Sequence, residues 1–178
     1  MIRECRPDEV SEIGAIINDA AVAYRGVIPA DVWHEPYMSA DALARECADG
    51  VTFSGFYDDD VLSGVMGLQL VRDVALIRHA YTRTTKQRRG IGAALLAHAR
   101  KQTDRPILIG TWKAATWAIR FYEAHGFRLT PDDMKAPLLI RYWNVPERQI
   151  EESVVLADAR WFALSETRSH ATQATHAR

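Results

Sequence analysis

Gln87-Arg88-Arg89-Gly90-Ile91-Gly92 stands between two hydrophobic patterns of different period. Before it, apolar and aromatic residues run through Leu76, Ile77 and Tyr81. After it, Ile91, Leu95, Leu96 and Ala99 recur near helical spacing. The stretch therefore reads as a basic, glycine-rich turn between a strand and a helix. Gly90 and Gly92 keep side chains away from the backbone where the helix starts. The free N–H groups of that first turn, through Ala93, can then point at an anion. Arg88 and Arg89 add mobile positive charge beside them. The pattern predicts a phosphate or pyrophosphate cradle, against the plainer reading of a solvated basic turn. A P-loop needs a Lys-Ser/Thr pair after its last glycine, and a dinucleotide fingerprint needs a third glycine; neither is present.

The turn fits Gln/Arg-x-x-Gly-x-Gly/Ala. A second stretch follows it in order, Ala118-Ile119-Arg120-Phe121-Tyr122-Glu123-Ala124-His125-Gly126-Phe127. Together these segments resemble the GNAT superfamily of N-acetyltransferases, and the resemblance covers residues 2–160. It implies an α/β (α+β) fold with a mixed, mostly antiparallel central sheet flanked by helices. The strands before residues 90 and 112 would be parallel and splayed apart to admit a cofactor arm. It also implies acetyl-CoA as cofactor, with the pyrophosphate at Gln87, Arg88, Arg89, Gly90, Ile91, Gly92 and Ala93, and with Thr82 beside the pantetheine arm. By resemblance Tyr122 matches the tyrosine that protonates the coenzyme A thiolate, and a phenol suits that role at neutral pH. The alternative for Tyr122 is a helix residue whose ring packs the core. Three positions depart from the family pattern. Thr82 stands where Val is common, and Thr84 where Pro is common, which makes the connection less rigid. Ala115 stands where an Asn bonds the pantetheine arm, leaving Trp112, Lys113 or Thr116 to compensate.

The implied reaction is acetyl transfer to a primary amine by direct attack in a ternary complex. The alternative is a catalytically weak acetyl-CoA-binding sensor or interaction module. In the family the first third of the chain covers the acceptor site, which makes Tyr24, Trp33 and Tyr37 candidate substrate contacts; packing at a core edge is the alternative for each. Their aromatic character hints at an apolar or aromatic acceptor, either a small molecule or a peptide amine. His79 is the candidate general base, since imidazole titrates in the right range; a buried neutral histidine is the equal alternative. Period two would place Ile77, His79 and Tyr81 on one face of their strand and Arg78, Ala80 and Thr82 on the other.

At 178 residues one domain is expected, set here at 1–161 with a flexible tail over 162–178. Val10, Ile13, Ile17, Ala20 and Tyr24 share a helical face, and Ser39 suits the cap of a second helix. Residues 51–57 and 61–71 read as a hairpin around Asp58-Asp59-Asp60. Pro131-Asp132-Asp133 opens a short helix before a last strand over 153–159. Lys plus Arg number 22 and Asp plus Glu 23, so the formal charge of -1 gives no reason to expect a nucleic-acid partner. Cys5 and Cys47 make no disulfide framework, and no clustered Cys/His spacing suggests a metal. No apolar run is long enough for a membrane and no secretory h-region opens the chain, so a cytoplasmic protein is expected. A homodimer is compatible with this reading.

Overall fold

The computed structural model describes residues 1–143 and 145–165. Its centre is a seven-stranded sheet. β1 (Ile2–Glu4) pairs antiparallel with β2 (Thr52–Asp58), β2 with β3 (Val61–Val71), and β3 with β4 (Val74–Thr82). β4 lies parallel to β5 (Ile107–Trp112). β5 pairs antiparallel with β7 (Ser153–Ala157), and β7 holds the short edge strand β6 (Arg128–Leu129). The order β1-β2-β3-β4-β5-β7-β6 is the mixed, mostly antiparallel sheet that the resemblance implies.

Helices cover both faces. On one, α3 (Ile91–Lys101) and α4 (Thr116–Ala124) pack Leu95, Leu96 and Tyr122 against Ala75, Ile77 and Ile109. On the other, α1 (Val10–Ala21) and α2 (Ala40–Ala48) set Ile13, Ile17 and Leu43 against Phe53, Leu62 and Val65. Beside them α5 (Asp132–Tyr142) lays Leu138, Leu139 and Tyr142 on Leu76, Leu108 and Val155, with α6 (Glu147–Glu151) following. Ser39 caps α2 as its sequence suggests, its hydroxyl accepting the Ala42 N–H at 3.1 Å.

The single parallel pairing opens the molecule. It holds only from Ala75–Ile107 to Ile77–Ile109. Past Ile77, β4 stays on β3 and β5 stays on β7, so the two strands splay apart. Three expectations need correction. Strict alternation fails in β4. Gly67 faces Arg78 and Val65 faces Tyr81, so Met66 alone opposes His79 and Ala80, a bulge with His79 at φ 49°. Ile77 therefore packs with α3, while His79 and Tyr81 turn toward α1 and α2. α6 was not anticipated. Finally, the last strand stops at Ala157, because Asp158 accepts the Trp161 N–H and starts a helix over 159–165. Phe162 packs on the core from that helix, so order extends beyond the expected edge at 161. The remainder of the expected tail, 166–178, lies outside the described residues. Among the described residues no helix is long and apolar enough to cross a membrane.

Candidate active site

Beside β4, past the point where it leaves β5, there is a cleft of about 690 Å³ walled by β4, α3 and α4. One end is the start of α3. Gly90 sits at φ 78°, a left-handed conformation that suits glycine, and no side chain caps the helix. The first helical bond runs from Ala94 N–H to Gly90 C=O at 3.0 Å. The amides of Ile91, Gly92 and Ala93 therefore have no acceptor among the described residues, and all three residues line the cleft. Gly92 abuts α4: a Cβ there would come within 3.3 Å of Phe121 Cζ.

Gln87, Arg88 and Thr82 line the same end, and the Gln87 amide donates to the Thr82 carbonyl at 3.3 Å. Arg89 stays outside the lining. Its charge joins Lys86, which bonds Asp58 at 2.7 Å, in holding the Asp58 carboxyl below its usual range. Arg88 and Arg89 themselves make no ion pair among the described residues. The turn is well tethered despite Thr84. Asp19 on α1 accepts the Thr84 N–H at 2.7 Å and its hydroxyl at 3.1 Å. Arg83 bonds Glu12 and the Leu62 carbonyl. Sequence inspection missed these tethers because the partners lie far away in the chain.

Tyr122 forms the wall from α4. It is 6 % exposed, and its ring packs edge-on against Phe121 and Phe127. Its hydroxyl makes no hydrogen bond among the described residues. Burial, with the Tyr24 phenol nearby, pushes its pKa well up. Ala115 is fully buried beside Trp112 and Tyr24 and offers no side-chain donor. Its expected substitutes do not face the cleft. Trp112 donates its indole N–H to Tyr37 at 2.9 Å, Lys113 pairs with Glu152 at 3.1 Å, and Thr116 is exposed. Trp117 and His125, which the sequence reading did not single out, line the cleft instead. Trp117 stacks on Tyr24 at 5.8 Å, and His125 Nδ1 lies 2.7 Å from the Phe121 carbonyl.

Across the splay lies a second chamber of about 130 Å³. Tyr24 and Tyr81 line both cavities, so they form the partition. Their hydroxyls and that of Tyr37 converge, and burial raises the Tyr24 pKa to about 12 and that of Tyr81 well above its usual value. Tyr37 lines the second chamber, whereas Trp33 lies behind it, stacked on the Tyr37 ring at 5.7 Å. His79 borders this chamber and not the cleft. Its ring stacks on Phe53, and its buried Nε2 lies 3.3 Å from Glu46 without the alignment of a hydrogen bond. Burial pushes the Glu46 carboxyl up, but His79 and Arg78 outweigh it and hold the group below its usual range. Tyr122 and the α3 turn are thus brought together; His79 and Trp33 stand apart from them.

A family model described as an acetyltransferase (GNAT) domain matches residues 7–137, and the chain belongs to that family. No curated protein is similar enough in sequence to count as a relative. Solved structures share the fold. The PaiA N-acetyltransferase of Thermoplasma acidophilum, in complex with coenzyme A, is 16 % identical with a TM-score of 0.65, over 89 % of this chain and 97 % of that one. An acetyltransferase of the GNAT family from Staphylococcus aureus is 17 % identical with a TM-score of 0.64, over 89 % and 97 %. The ribosomal-protein-S18-alanine N-acetyltransferase of Escherichia coli is 17 % identical with a TM-score of 0.62, over 89 % and 92 %.

Proposed function

We propose that the protein is an acetyl-CoA-dependent N-acetyltransferase acting on a primary amine by direct attack. One observation carries this reading: three unpartnered amides of α3 and the Tyr122 hydroxyl open onto one cleft at a splayed strand pair. Family membership and the coenzyme A complex of the Thermoplasma acidophilum neighbour support it. The amides at the N-terminus of α3, with Arg88, suit a pyrophosphate, because aligned N–H dipoles and a guanidinium both favour phosphate oxygens. Bound there, acetyl-CoA would supply a thioester whose carbonyl carbon forms the C–N bond as the C–S bond breaks, the amine losing a proton and the departing sulfur gaining one. Tyr122 is the donor for that sulfur. The bulge at His79 disturbs the ladder where β4 leaves β5, and a backbone N–H freed there would polarise the carbonyl. The second chamber holds the acceptor, and Tyr24, Tyr37 and Tyr81 guide it to the partition.

Calorimetry tests the cofactor site. Coenzyme A should bind at least about tenfold tighter than its pantetheine fragment, since each charge-assisted hydrogen bond contributes about 1.5–3 kcal/mol. Gly92→Leu should weaken coenzyme A by a similar factor, because its side chain must displace Phe121 or cover the amides. Equal affinity for coenzyme A and pantetheine would remove the phosphate cradle from the account. Ala115 offers no side-chain donor to the pantetheine arm, so cofactor affinity rests on the α3 end of the cleft; the second reading is a cofactor-binding module with weak catalysis. Tight binding without thiol release across an amine panel would support that reading.

A further inference from the structure

Resting on the acetyltransferase reading, we infer that the acceptor is a primary amine carried on a single aromatic ring with no charged group at its far end, an arylalkylamine. Size is the first argument. A cavity of about 150 Å³ accommodates benzene, and the second chamber offers about 130 Å³. That is room within the chamber for one ring. Trp143, Val145 and Gln149, before and within α6, line it on one side. α6 is in turn tied across to the segment before α2 by Arg148, whose Nε lies 2.8 Å from Asp31.

Charge is the second argument. Among the described residues no carboxylate lines the chamber. Its guanidinium, Arg78, already donates to Glu46 at 2.7 Å and Gln69 at 2.9 Å. Glu152, next to the lining residue Ser153, is held by Lys113 and Arg148. A second ammonium of a polyamine, or the carboxylate of a free amino acid, would be buried without a counter-charge, which is costly. The aromatic walls do not form a cation cage either. Tyr37 is packed between Trp33 and Tyr24, and Trp143 lies so close to Gly110 that a Cβ there would come within 3.2 Å of its ring. The other polar groups of the lining are the phenols of Tyr24, Tyr37 and Tyr81, the Thr111 and Gln149 side chains, which make no hydrogen bond among the described residues, Ser153, and His79, whose buried Nε2 lacks a hydrogen-bond partner there. The Arg78 guanidinium in the lining, with no carboxylate lining the chamber beside it, also disfavours the ammonium form of the acceptor.

The test compares phenethylamine, tyramine, spermidine, phenylalanine and a tetrapeptide by thiol release, with acetyl-CoA binding measured separately. The two arylalkylamines should exceed the others in kcat/KM by at least about tenfold. Trp143→Ala should shift preference toward a naphthyl-bearing amine while acetyl-CoA affinity stays unchanged. Gln149→Leu, a milder change to the same wall, should favour phenethylamine over tyramine. Spermidine, phenylalanine or the peptide turning over as well as tyramine would overturn the acceptor class and leave the acetyltransferase reading standing. Acetyl-CoA binding with no arylalkylamine turnover would overturn it too. Absence of acetyl-CoA binding would remove the acetyltransferase reading itself.

Discussion

Tyr122→Phe is expected to lower the rate of the chemical step by ~10²–10⁴-fold, the usual range for general acid catalysis. Acetyl-CoA affinity should change little. The ring's contacts survive the substitution, since the edge-on packing against Phe121 at 5.1 Å and Phe127 at 5.9 Å does not use the hydroxyl. The hydroxyl makes no hydrogen bond among the described residues, so its removal leaves no partner unsatisfied and the fold should keep its stability. Burial holds the phenol pKa above its usual value, so it remains protonated across the working range. Such a phenol is a weak acid toward a solvated thiolate. A thiolate forming in the same apolar wall is also desolvated, however, and its proton affinity rises with that of the phenol. The pH–rate profile of the wild type should consequently show no loss from Tyr122 ionisation as pH rises through 10. Single-turnover measurements isolate the step from product release. An unchanged chemical step in folded Tyr122→Phe would return the residue to a packing role and assign the proton to water or another donor.

The parts of this site that could be read in the sequence are those whose chemistry is local. Gly90 and Gly92 open α3 through backbone freedom that a single stretch of chain encodes, and Phe121-Tyr122 presents its phenol from one helical turn. Hydrophobic period located each strand of the hairpin and the strand pair that splays. Period failed at His79, where one extra residue reversed the alternation that follows, because a bulge has no signature in apolar spacing. What the sequence hid were the long-range partners. Asp19 compensates for the missing proline at Thr84 across 65 residues of chain. Arg148 joins Asp31 across 117 residues, with neither residue in a motif. Trp117 escaped notice because an exposed aromatic beside a motif resembles ordinary surface, and only the stack on Tyr24 shows its place.

The second large effect is expected at Glu9, far from the chemistry. Its carboxylate takes two bonds from Arg3 at 2.7 and 2.9 Å, the Arg6 N–H at 2.7 Å and the Tyr57 hydroxyl at 3.0 Å. Arg3 is the main reason its pKa falls, assisted by Arg6 and Tyr57 and opposed by burial, from 4.5 to about 2. A carboxyl depressed in the folded state stabilises the fold fully above its unfolded pKa. That contribution fades as pH falls from about 4.5 toward 2. Glu9→Gln keeps the size but removes the charge from a side chain that is 10 % exposed, leaving Arg3 with the Glu4 carbonyl and the Tyr57 ring but without its counter-charge. Arg3 is itself partly solvated, so the loss at pH 7 should be about 2–3 kcal/mol, below the range for a fully buried pair. For a chain of this length that lowers Tm by about 5–10 °C. Urea unfolding at pH 7 and pH 3 checks the assignment: the gap between wild type and variant should narrow at pH 3, where the unfolded carboxyl is already protonated while the folded one stays ionised. A gap of equal size at both values would mean that packing, not charge, holds Glu9. The consequence reaches the cleft, because the Glu9 cluster fixes the start of α1, and α1 carries Glu12 and Asp19, which tether the turn before α3. Acid should therefore loosen the cofactor end of the site together with the first strand and helix.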